Sequence, residues 1–157
     1  MNFSKITDDL FIGSSPQPED YQRLHDLGVR LVINMRWEHR LPADKNAQPL
    51  NILWLRTFDS PLFPIPIKKL VRGAQAALET IQAGGKVYAH CAHGRHRGVA
   101  MGAAVLIAQG HNAYEAIDLI KAQRPIADPD IFYIRRRILK FAKRWKRMHI
   151  TERKFEQ

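Results

Sequence analysis

The chain has 157 residues, 45% hydrophobic and 25% charged, which fits one globular domain large enough to bury a real core. A single cysteine excludes an internal disulfide framework and fits a reducing, cytoplasmic setting. No basic segment followed by an apolar run opens the N-terminus, and the longest apolar run, 99–108, is too short to span a bilayer.

The formal charge of +10 favours a negatively charged partner: a phosphorylated substrate, nucleic acid or an anionic membrane surface. In chain order, Leu10–Ile12 is a short strand-like run. "SSPQPEDYQRLHDLG" reads as a capped helix, with Ser15 as N-cap, Pro16 in the first turn, early acids and Gly28 past the end. A second strand, Leu31–Met35, leads into "RWEHR" (36–40), which reads equally as a substrate entrance or a plain surface loop and is left outside the site. The strand Ile52–Phe58 is followed by a Pro-rich loop, 59–69, and by a helix over Ile67–Ala83 that stops at a Gly pair. Val87–His90 forms the next strand, and "GVAMGAAVLIAQG" is small and apolar enough for a buried helix. Asn112 caps a further helix that ends at Arg124-Pro125. Asp128-Pro129 opens the last one, with Ile131, Ile134, Ile138, Phe141 and Trp145 on one stripe.

Between Arg135 and Arg147 this last helix carries eight Lys/Arg and no acid. Such runs are usually solvated faces; the other reading is docking onto nucleic acid or phospholipid. The domain spans 1–148, with 149–157 as a basic C-terminal tail that frays. Strands alternating with helices predict an α/β fold: a mainly parallel central sheet of four to five strands, flanked by helices on both faces.

Ligands in such folds gather beyond the carboxyl ends of the strands, and "YAHCAHGRHRG" (88–98) lies at such an end. Two chemistries compete for it. His90, Cys91, His93 and His96 are metal-ligand types, but they would have to curl round one ion beside Arg95 and Arg97, with no acid to offset the charge. The anion reading uses more of the stretch. Five residues separate Cys91 from Arg97, and a loop of that length before a helix aims backbone N–H groups at one centre. Arg97 can fork onto two phosphate oxygens, a positive loop favours thiolate over thiol at Cys91, and Gly94 permits the tight turn. A buried structural thiol is the bland alternative for Cys91. On this reading no metal and no cofactor is required.

"HCAHGRHRG" resembles the HCxxGxxR signature of cysteine-dependent protein tyrosine phosphatases, and the short chain resembles their dual-specificity branch. The segment from Ile6 to Glu38 is similar to that branch's first strand-helix-strand, and "QRPIADPDIFYIRRRILKF" to its R-P-x-A-x-P segment and last helix. The resemblance implies Cys91 as nucleophile, Arg97 as phosphate clamp and the backbone of Ala92, His93, Gly94, Arg95, His96 and Arg97 as cradle, with phosphate, sulfate or vanadate expected to bind there. It also implies a general acid on a separate loop. Asp59 in "FDSP", 32 positions before Cys91, fits that role; a turn-forming aspartate is the bland alternative. Arg124 is implied as support behind the loop. The expected substrates are phosphotyrosine and phosphoserine or phosphothreonine of proteins. A phosphoinositide or an RNA 5′ phosphate is the alternative that His93, Arg95 and His96 would suit, and a phosphate-binding module with little turnover is a third. One position departs: the Ser or Thr expected after the signature arginine is Gly98, which implies slow hydrolysis of the phosphocysteine unless another group donates to the sulfur.

Overall fold

The computed structural model describes residues 1–156. Five strands form one sheet: β1 (Phe3–Lys5), β2 (Leu10–Gly13), β3 (Val29–Arg36), β4 (Asn51–Thr57) and β5 (Lys86–His90), in spatial order β1-β2-β5-β3-β4. Only β1 runs antiparallel, against β2; the pairs β2–β5, β3–β5 and β3–β4 are parallel. The helices are α1 (Tyr21–Asp26), α2 (Ile67–Gln82), α3 (Arg97–Ala108), α4 (Ala113–Gln123) and α5 (Phe132–Phe155). The α/β architecture expected from the sequence is therefore present, with β1 as the strand that sequence pattern missed.

Alternation along the strands sorts the two faces. Leu10, Ile12, Leu31, Ile33, Val87 and Ala89 point into the large core shared with α2, α3, α4 and α5. Phe11, Val32 and Tyr88 point the other way and meet Tyr21 and Leu24 of the α1 segment. The helical layers are thus unequal, four helices against one. The small residues of α3 let it lie at the centre of the thick layer, buried along nearly its whole length.

Three boundaries differ from the sequence reading. The first helix does not begin at Ser15. A residue before proline is pushed away from the helical region, so Pro18 keeps Gln17 extended (φ −99°, ψ 164°), and a short 3-10 turn at Pro18–Asp20 precedes α1. The last helix begins at Phe132, and Asp128 caps the turn before it by accepting the Ile131 N–H at 3.2 Å. The segment expected to fray from 149 onwards is helical as far as Phe155.

β3 and β4 carry an irregularity that aims the site. Asn34 pairs with Trp54, yet Arg36 pairs with Thr57, so β4 holds one extra residue. Arg56 absorbs it in a left-handed conformation (φ 49°), rare for a residue with a side chain. Its guanidinium lies 4.4 Å and 4.8 Å from the ring centres of Trp37 and Trp54. Among the described residues, no helix is long and apolar enough to cross a membrane.

Candidate active site

Residues 91–96 bend between the end of β5 and the start of α3. The turn depends on Gly94 (φ 65°), where a Cβ would sit 2.6 Å from the carbonyl of Gly13. Cys91 lies at the base of the bend, 4% exposed. Buried Arg124 braces the loop from behind. Its Nε donates to the Gly94 carbonyl (2.8 Å) and its Nη2 to that of His93 (3.1 Å). The same guanidinium donates to Ser4 Oγ and Asn2 Oδ1, tying the Arg-Pro turn, the loop and β1 into one unit.

His90 is fully buried beneath the loop, with Nδ1 3.4 Å from both the Cys91 carbonyl and Ser15 Oγ. Burial, aided by the charges of Arg36, His39 and Arg97, pushes its pKa down to about 3 despite the Cys91 carbonyl. It is a neutral ring at any working pH. Ser15, expected as a helix cap, instead donates to the Cys91 carbonyl (3.3 Å) and accepts from Arg36 (2.9 Å).

Arg97 is buried at the first position of α3. Its Nη1 donates to the Thr57 carbonyl at 2.7 Å and lies 3.5 Å from Glu38 Oε2. Its Nε is buried with no hydrogen-bond partner among the described residues. Glu38 also takes a bond from Arg36 (2.6 Å). Burial alone would raise the Glu38 pKa, but the Arg36 and Arg97 guanidiniums and its backbone hydrogen bond hold it at about 2. "RWEHR", which sequence reasoning left outside the site, thus supplies Arg36 and Glu38 to it. The register of β3 decides that, and no local pattern reports it.

Asp59 follows β4 by two residues and meets the loop from the side. Its Oδ2 lies 2.9 Å from His96 Nδ1, and its Oδ1 accepts the Tyr133 hydroxyl at 2.7 Å. Partial burial pulls its pKa upward, but those hydrogen bonds and the charges of His96 and Arg97 outweigh it, and the carboxyl sits below its usual range. Tyr133 is pushed up to about 12 by burial and by Asp59. It was missed from sequence because an aromatic in the first turn of a helix carries no signal of its own.

The loop's other side chains diverge. His93 and Arg95 line a cavity of about 700 Å³ with Asn2, Ser14 and the 125–128 turn, and Arg95 Nε donates to the Ile126 carbonyl. Among the described residues, no three His, Cys, Asp or Glu side chains are placed to share a metal ion. At Gly98 the first turn of α3 presses on the end of β5: a Cβ there would lie 3.1 Å from Cys91 N and from His90 C and Cα. The loop thus carries a buried thiol at one end and a buried guanidinium with an open donor at the other, with the Asp59 carboxyl held against His96, which lies between them in sequence, chemistry suited to a tetrahedral oxyanion.

No protein-family model matches the chain. Dual specificity phosphatase 28 of Mus musculus is 26% identical over 134 residues, 82% of this chain and 77% of that protein. The crystal structure of human DUSP28 superposes with a TM-score of 0.79 at 23% identity, over 92% of this chain and 95% of that one. The crystal structure of PTPMT1 gives a TM-score of 0.78 at 29% identity, over 99% of this chain and all of that one; a second, in complex with PI(5)P, gives 0.80 at 26%, over 94% and 98%. Relatives and solved structures agree over most of the chain's length, and together they support a cysteine-based phosphatase of the dual-specificity-like superfamily.

Proposed function

We propose that the chain hydrolyses phosphate monoesters in two steps, with Cys91 as nucleophile, Arg97 and the 92–97 backbone as the phosphate cradle, and Asp59 as proton donor and acceptor. The observation that carries this is the buried Nε of Arg97, at the end of the loop that begins with the buried Cys91, a cationic donor with no hydrogen-bond partner among the described residues, which a phosphate oxygen would satisfy. In the first step the Cys91 sulfur attacks phosphorus in line, the ester P–O bond breaks, and Asp59 gives its proton to the leaving oxygen. The incoming phosphate's charge offsets Arg97 and so favours the protonated Asp59 that this step needs. In the second step water attacks the phosphocysteine, Asp59 takes its proton, and the P–S bond breaks to release inorganic phosphate. Positioning and fixed positive charge supply most of the acceleration.

Protein phosphotyrosine and phosphoserine or phosphothreonine are the first-choice substrates, supported by the names of the relatives. A second reading, a phosphoinositide, is favoured by the cavity flanked by His93 and Arg95, where a further phosphate has cationic company. The lone thiol suits the reducing cytoplasm. Hydrolysis of an aryl phosphate with chelator and no added metal tests the mechanism. Cys91→Ser should abolish turnover, and Asp59→Asn should cut it about 100-fold or more. Tight vanadate binding by the wild-type chain with no turnover would overturn the proposal in favour of a binding module. Parallel assays on phosphopeptides, phosphoinositides and 5′-phosphorylated RNA rank the substrates.

A further inference from the structure

The rim of the site carries a surface that hydrolysis does not use. Trp37 and Phe58 stack at 4.6 Å, and Phe63 leans on Phe58 at 5.3 Å. Beside them Leu62 is 82% exposed and Phe63 60% exposed. Such residues in a row on a monomer mark an interaction site. Lys69 in the first turn of α2 reaches back to this cluster: its Nζ donates to the Arg56 carbonyl at 2.7 Å and lies 5.9 Å from the centre of the Trp37 ring.

The neighbouring residue, Lys68, faces a groove of about 480 Å³ where α5 crosses α2. Lys68 and Arg72 of α2 stand on one side, and Lys140, Arg144 and Arg147 of α5 on the other. Among the described residues no acid lines this groove and none of its five cations has an ion pair. Elsewhere the molecule does pair its cations, as where Asp130 takes both Lys121 and Arg135. Like charges four apart on a helix repel, as Lys68 and Arg72 or Lys140 and Arg144 do, so an anionic partner that relieves this repulsion gains from it. The floor is apolar, with Ile67, Val71 and Met148.

We propose that the Trp37–Phe58–Phe63 cluster with Leu62, together with the cation-lined α2–α5 groove, docks the enzyme on an anionic lipid bilayer. Unpaired cations supply attraction to the charged leaflet, and the projecting Leu62 and Phe63 enter the headgroup–acyl boundary. The apolar part decides against nucleic acid. Trp37 is already stacked on Phe58 and Arg56, and an exposed leucine has no partner on a phosphodiester backbone, where single-strand binders offer free aromatic faces. Phe58 precedes Asp59 and Trp37 precedes Glu38, so docking sets the mouth of the site against the leaflet and favours phosphate esters carried there. The proposal goes beyond the catalytic reading and does not depend on it.

Co-sedimentation of the full chain with vesicles tests it. Binding is expected to vesicles of 70% phosphatidylcholine and 30% phosphatidylserine, tenfold or more above pure phosphatidylcholine, and to be lost in 0.5 M salt. Leu62→Glu/Phe63→Glu and, separately, Lys68→Glu/Arg144→Glu should each lower the partition at least tenfold, while aryl phosphate hydrolysis and the melting temperature confirm that both variants are folded. If one of these pairs fails to fold, Lys140→Glu/Arg147→Glu replaces it. Cys91→Ser should bind vesicles like the wild type, separating docking from catalysis. Equal partition into charged and neutral vesicles, unchanged binding by the folded variants, or stronger binding of a 20-nucleotide RNA that displaces the vesicles would overturn the proposal.

Discussion

Asp59 has both carboxylate oxygens occupied, one by His96 and one by Tyr133, and each contact favours the ionised form. Arg97 and Asp128 are the other charged groups facing this cluster; Asp128 Oδ2 lies 4.0 Å from His96 Nε2. The proton donor proposed for the first step is thus held below its ordinary pKa, which keeps it a ready base for the second. The sign follows directly. Removing a donor raises the Asp59 carboxyl, so the acid stays protonated to higher pH. His96→Phe and Tyr133→Phe should each move the basic limb of the kcat profile to higher pH. The shift should be plain with an alkyl phosphate, whose leaving group needs the proton, and faint with para-nitrophenyl phosphate, whose leaving group does not. Profiles that superpose on wild type for the alkyl ester would remove His96 and Tyr133 from any role through Asp59.

Where α3 meets the end of β5, the packing of two elements explains a residue that sequence comparison made conspicuous. Gly98 stands where the resemblance implies a hydroxyl, and the backbone of His90 and Cys91 lies 3.1 Å from where its Cβ would be. Any side chain there must push α3 from the strand by a few tenths of an ångström. Gly98→Ala and Gly98→Ser should therefore both lose about 1–3 kcal/mol, read as a lower melting temperature. Only serine can donate to the Cys91 sulfur, so rapid quench should show its phosphoenzyme hydrolysing several-fold faster than alanine's; equal rates would mean that the missing hydroxyl costs nothing. The same junction shows what was legible in the sequence and what was not. The helices α2, α3 and α4 announce themselves through periodicity, small residues and the Asn112–Glu115 capping box. The Cys91–Arg97 spacing names its own loop. Ser15, Arg36, Glu38 and Tyr133 enter the site through strand register and helix docking, which bring together residues up to 118 positions apart. β1 is three residues long, too short for any pattern to show.

Taken whole, the molecule is a strongly basic shell round a site that must stay neutral at its base. With a net charge of +10 and seven histidines, acidification adds further positive charge to a chain that already repels itself. His90 does not share in it while the protein is folded, because burial holds its pKa at about 3. The unfolded chain binds that proton near its ordinary pKa of 6.5, so the unfolded state holds more protons and stability falls as pH drops from 6.5 towards 3. Between pH 6.5 and 4.5 the carboxyls of Asp59 and Glu38 stay ionised in the folded state, because both are depressed, and His90 is the buried group that sets the slope. Its contribution is about 1 kcal/mol over the first pH unit and approaches about 1.4 kcal/mol per unit below that. Denaturant unfolding at pH 6.5, 5.5 and 4.5 should show wild type losing stability at close to that rate. His90→Gln, which keeps a polar side chain under the loop but cannot titrate, should start less stable and fall along a much flatter line. Parallel lines for the two proteins would show that His90 takes up its proton in the folded state, contrary to its burial.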